Sequence, residues 1–179
     1  MELPHRIVFK DLKPRIADAI KESCYKTDAR LYNIANEVHR IVTMSVEPGV
    51  EIAEGLTKII DKTVKESISV GCDLSVIAKG ILLGAFRASP FVAQEAHKTI
   101  RILIREVLQS VYKYKGDTKQ AVEGLLAGIV IVAHEFKLNS HEALVVAQED
   151  IFSCANQLSP QFAEQIKTFL PPDASSHRI

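Results

Sequence analysis

Apolar positions along this chain recur at spacings of three and four, and turn signals interrupt them at helix-length intervals. No segment alternates as a strand does, so the pattern predicts an all-α protein, a compact bundle of about eight helices. After a lead over Arg6–Lys10, Asp11 can cap a first helix reaching Tyr25, with Ile16, Ala19, Ile20 and Cys24 along one side. Thr27 or Asp28 caps a second, striped by Leu31, Ile34, Ala35, Val38 and Ile41–Val42, before the breaker Ser45–Gly49. Ile52, Leu56, Ile59, Ile60, Thr63 and Val64 form the inner face of a third helix, with Lys58, Asp61, Lys62, Lys65 and Glu66 outside. Gly71 ends it and Asp73 caps the next, Leu74–Phe86, whose one charge is Lys79.

Ser89 and Pro90, as cap and first helical residue, open a long helix over 90–115. Its stripe is Val92, Ala96, Ile100, Leu103, Val107, Val111 and Tyr114, and at 1.5 Å per residue it is a rod of roughly 38 Å. Gly116 is the expected stop. Asp117 with Gln120, and Asn139 with Glu142, have capping-box spacing. Between them Ala121–Glu135 carries one charge before its last two residues, Glu123, so it is expected to be the buried centre of the bundle. The helix after Asn139 has the stripe Leu144, Ala147, Ile151 and Cys154–Ala155. Ser159-Pro160 starts a short last helix that ends before Pro171-Pro172. Residues 1–170 thus read as one domain and 171–179 as a disordered tail.

A shift of 69 positions lays 53–86 on 122–155 with seven identities, among them Glu54-Gly55-Leu56 on Glu123-Gly124-Leu125. It also lays the turn Gly71–Asp73 on Ser140–Glu142, so the two segments read as a duplicated helical hairpin joined by the long helix. The pattern E-G-L, then about eighteen residues, then S/D-x-x-V-x-A resembles a group of uncharacterised bacterial helical proteins with tandem Gly- and Ala-rich hairpins. The resemblance covers about half the chain, implies helical hairpins, and brings no activity with it. Gly80 and Gly84, and Gly124 and Gly128, have the four-residue spacing that lets another backbone approach closely.

With 47% hydrophobic and 25% charged residues the chain belongs among globular proteins. Lysine and arginine together number 22, as do aspartate and glutamate, so no overall field attracts a nucleic acid, and self-association is unopposed. Cys24, Cys72 and Cys154 stand singly and read as small buried residues of a reducing, cytoplasmic protein. The first residues hold no apolar run of signal-peptide length, and no segment reaches membrane-spanning length.

The sequence offers little chemistry. His134–Leu138 lacks the second histidine of HExxH, and His39, His97 and His134 lack a glutamate three residues earlier. No phosphate loop or nucleophile elbow is present, so no catalytic, cofactor-binding or metal-binding residue is assigned. His134, ending the most apolar helix, and Glu123, inside it, are the candidates for a pocket. Arg101, Arg105, Lys113, Lys115 and Lys119 are candidates for a basic strip. Three functions stay open: a non-enzymatic interaction or structural module, a binder of a membrane or of a lipid or polymer granule, and a small-molecule binder or enzyme. The first is favoured, as a homodimer or with a protein partner. Its candidate interface is the second apolar line of the long helix, Ile102, Ile104, Leu108 and Tyr112.

Overall fold

A computed structural model describes residues 36, 52–88 and 96–170. The two expected N-terminal helices (apart from Asn36, which is helical), the breaker at 45–49, the start at Ser89-Pro90 and the tail 171–179 lie outside those residues. Among the described residues there are six helices and no strand: α1 Ile52–Ser69, α2 Leu74–Ala88, α3 Ala96–Tyr114, α4 Thr118–Glu135, α5 Ser140–Leu158 and α6 Pro160–Lys167.

Three of the connections are built alike. Gly71, Lys115 and Lys137 take the left-handed conformation, with φ of 69°, 55° and 56°. At the first, Gly71 N–H donates to Ile68 O (3.2 Å) and Cys72 N–H to Ser67 O (2.9 Å), the paired bonds of a Schellman motif. The same pair recurs as Lys115 to Tyr112 with Gly116 to Val111, and as Lys137 to His134 with Leu138 to Ala133. Two residues after each left-handed residue stands the next helix's cap, Asp73, Asp117 or Asn139, whose side-chain oxygen accepts from first-turn N–H groups. Gly116 therefore is not the stop that its sequence position suggested. Lys115 makes the left-handed turn, and Gly116 follows it where a Cβ would lie 2.7 Å from Ile68 Cδ1 and 2.8 Å from Leu74 Cδ1, the ends of side chains that would have to turn aside.

Position by position, the turn at Gly71 is matched by the turn at Lys137, 66 residues on, and not by Ser140–Glu142, which lies within the first turn of α5. Two equivalent turns, at Lys115 and Lys137, are only 22 apart.

Contacts among the described helices follow one rule: every substantial one joins neighbours in sequence or next-but-one helices. The helices consequently form two layers, α1, α3 and α5 in one and α2 and α4 in the other, with α6 packed on α5 at the end. Within a layer neighbours run parallel. Gln120 and Glu135 of α4 meet Leu74 and Arg87 of α2 in that order, and Asp150 and Cys154 of α5 lie beside Arg101 and Arg105 of α3. Such layering is the geometry of stacked helical units, in which each contacts only those beside it.

The expectation that Ala121–Glu135 lies at the centre needs correcting. α2 is the more enclosed helix, with no exposed residue from Leu74 to Arg87, whereas α4 exposes Lys119, Glu123, Val130, His134 and Glu135. Val130 retains 43% of its surface. Its neighbours explain this: Glu123 lies seven residues before it and His134 four after, so the polar residues of α4 mark its outer face. The α2–α4 contact is the most extensive among the described helices, and α4 brings glycines to it. A Cβ on Gly124 would meet the Ser75 backbone, 2.6 Å from Cα, and one on Gly128 would lie 2.8 Å from Leu82 Cδ1. That glycine pair serves close packing inside the chain. No helix is long and apolar enough to cross a membrane, among the described residues.

Candidate functional site

Polar and charged side chains gather at three places between helices. On α1, Asp61 is half-buried and faces α3. Its Oδ1 accepts from Lys113 Nζ (3.0 Å) and Ser110 Oγ (3.4 Å), and its Oδ2 from the Tyr114 hydroxyl (2.9 Å). Lys113 also lies over the Tyr114 ring, 4.8 Å from its centroid. Its hydrogen bond with Tyr114, and then that with Asp61, hold the ammonium pKa above its ordinary 10.5. Each oxygen of the carboxylate is thus spent on a neighbouring helix.

The second place lies between α3 and α5. Arg101 Nε donates to Asp150 Oδ1 (2.9 Å), and Arg105 donates from two nitrogens to Oε1 of buried Glu106 (2.9 and 3.1 Å). Asp150 Oδ2 is buried without a hydrogen-bond partner. Cys154 sits among them, and burial pushes its thiol up from 9.0 to about 11. The Arg105 charge opposes that rise, while the Glu106 and Asp150 carboxylates add to it. A thiol held protonated in this way is a poor nucleophile and a poor metal ligand.

The third place clamps the α2–α4 pair at both ends. Gln120 Oε1 accepts from Leu74 N–H (3.0 Å), so the side chain expected to close a capping box on its own helix caps α2 instead. At the other end Arg87 forms a two-point bridge to Glu135, at 2.8 and 3.0 Å. Behind it Phe86 and Phe136 pack with ring centroids 5.6 Å apart.

The candidate pocket residues are not brought together. Glu123 and His134 are both exposed, on one face of α4, and eleven residues of helix separate them by roughly 16 Å. Glu123 faces Lys119 Nζ at 3.8 Å, one turn before it on α4. The candidate interface also divides. Ile104 and Leu108 have no exposed surface and belong to the core, because α3 is covered by helices of both layers. Ile102 is half-buried, and Tyr112 is 43% exposed with its ring edge-on to Phe162, centroids 5.1 Å apart. Of the expected basic strip, Arg101, Arg105, Lys113 and Lys119 each face a carboxylate: Asp150, Glu106, Asp61 and Glu123. Among the described residues, no three histidine, cysteine or acidic side chains converge as a metal site would require.

Glu106, Asp150 and Asp61 were not singled out from sequence. Glu106 had a signal: it stands in the three-four register of Leu103 and Ser110, on the inner side of α3. Cys72 was read as a lone buried thiol, yet it is half-buried and disulfide-bonded. Compared with protein-family models and with curated proteins, the chain matches none.

Proposed function

We propose that this chain is a non-enzymatic helical interaction module that acts by associating with a second copy or with a protein partner. The observation that carries this is how the side chains are used. Asp61, Arg87, Gln120 and Asp150 are each bound to a group on another helix of the same layer, so the polar residues between helices serve to hold each layer together. Apolar surface is left over on outer faces instead, most of all at Val130 and Tyr112. Stacked helical units use their long outer surfaces in this way. Their like-built turns support a recurring helix-and-turn unit of about 22 residues in place of one duplicated hairpin. Sedimentation of the purified chain over a range of concentrations is the test, and a mass that stays that of one chain would count against self-association.

Binding to an apolar surface is the second reading, supported by the half-buried Leu126 and Ile131 on either side of Val130. Co-sedimentation with neutral and with anionic vesicles tests it, and protein that remains in the supernatant with both removes it.

A further inference from the structure

The two-layered stack has an unfinished edge. Among the described helices, α4 is the last full member of the layer of α2 and α4, because the eight-residue α6 packs on α5 and makes no substantial contact with α4. Stacked helical units need a polar capping face at each end. α4 offers instead an outer strip made of Glu123, Leu126, Ala127, Val130, Ile131 and His134, in which the four apolar residues are all at least partly exposed.

The order of that strip is informative. Its spacings read three, one, three, one, three, the same from either end, with a midpoint between Gly128 and Ile129. If two such helices lie antiparallel about a twofold axis through that midpoint, each member meets a complement. Glu123 lies opposite His134, Leu126 opposite Ile131, and small Ala127 opposite larger Val130, and every pairing occurs twice. The acidic end of one strip thereby meets the imidazole end of the other, and the apolar middle is closed over. A lipid surface would match the middle but would leave Glu123 facing an apolar phase at a cost. A second copy satisfies both.

We infer that the outer face of α4 is the self-association surface of this protein, pairing antiparallel with α4 of a second copy through Glu123–His134 contacts that flank an apolar centre at Ala127 and Val130. This rests on the proposal that the chain acts by association. Most homo-oligomers close about a twofold, and a self-complementary patch is what that symmetry requires.

Sedimentation equilibrium on the full chain tests it with four proteins: wild type, Val130→Asp, Glu123→Lys, and the exchange Glu123→Lys with His134→Glu. Circular dichroism confirms that each remains helical, which is expected because all three positions are exposed. Wild type should dimerise. Val130→Asp places a carboxylate at the closed centre twice per dimer and should weaken association about 100-fold or more. Glu123→Lys should weaken it about 10-fold, and the added His134→Glu should restore it by reversing the pair. A wild-type monomer would overturn the inference together with the self-association reading, whether or not it sediments with vesicles, and would leave only a protein partner for the proposed function. A dimer indifferent to Val130→Asp and to the charge exchange would overturn the inference alone and move the interface elsewhere, with Tyr112 the next place to look.

Discussion

Gly124 and Gly128 give a direct way to weigh the α2–α4 contact. Both are buried in α4 and both face α2, so replacing either with alanine gains the same helix propensity, about 1 kcal/mol. The steric consequences differ. At Gly124 the new methyl group would stand against the Ser75 backbone, 2.6 Å from Cα and 2.8 Å from the carbonyl carbon, and backbone does not move aside without shifting the helix. At Gly128 the nearest atom is Cδ1 of Leu82, the end of a side chain that can turn, and the nearest backbone atom is Lys79 Cα at 3.2 Å. Overpacking of the first kind costs about 1–3 kcal/mol. The propensity term is common to both substitutions and cancels in the comparison. Gly124→Ala should therefore be less stable than Gly128→Ala by about 1–3 kcal/mol, and Gly128→Ala should be near wild type. Urea unfolding followed by circular dichroism reads this as a difference in midpoint at constant slope. Equal midpoints, or a Gly124→Ala protein more stable than wild type, would refute the close approach of α4 to the α2 backbone.

Adjacent residues on α4 should behave in opposite ways. Ile129 has no exposed surface and Val130 has 43%, so Ile129→Asp should unfold a domain stable by about 5–15 kcal/mol while Val130→Asp stays folded by circular dichroism. Gln120→Ala removes the acceptor for Leu74 N–H, and by analogy with a lost cap should destabilise by about 0.5–2 kcal/mol in thermal or urea unfolding. Cys154 has a folded pKa raised from 9.0 to about 11, which favours the native state only while the thiol is protonated. Its contribution should be intact below pH 9 and lost as pH rises toward 11, a decline that Cys154→Ala should lessen in unfolding curves recorded across that window.

Much of the fold was legible from periodicity and caps. Leu56, Ile59, Ile60 and Val64 face inward as their spacing requires, and Asp73, Asp117, Asn139 and Ser159 each accept from the first turn of the helix they were expected to open. Local signals of this kind need no partner. The positions that misled depend on which neighbour covers which face. Ala121–Glu135 is so uniformly apolar that its pattern carries little directional information, yet its few polar residues point to the side where Val130 is exposed. Ile104 and Leu108 looked surplus to a single face because the sequence does not disclose that helices of its own layer and of the other both pack on α3. The 69-residue shift does not bring the turns into register, since the left-handed residues Gly71 and Lys137 stand 66 apart. A three-residue slip turns a helix by about 60° from full superposition, so apolar stripes still overlap, while the turns, which fix the register, differ in residue type. Gly71 and Lys137 make the same turn, and no comparison of side chains would align them.

Self-association is the claim on which the functional reading depends most, and sedimentation equilibrium of the wild-type chain from roughly 1 to 100 μM tests it most directly, a range in which specific pairs held by about 6–8 kcal/mol are resolved. The expected result is a concentration-dependent rise from the mass of one chain to the mass of two, with no larger species, as a twofold contact that uses up its own surface requires. A mass of one chain across the whole range would contradict it.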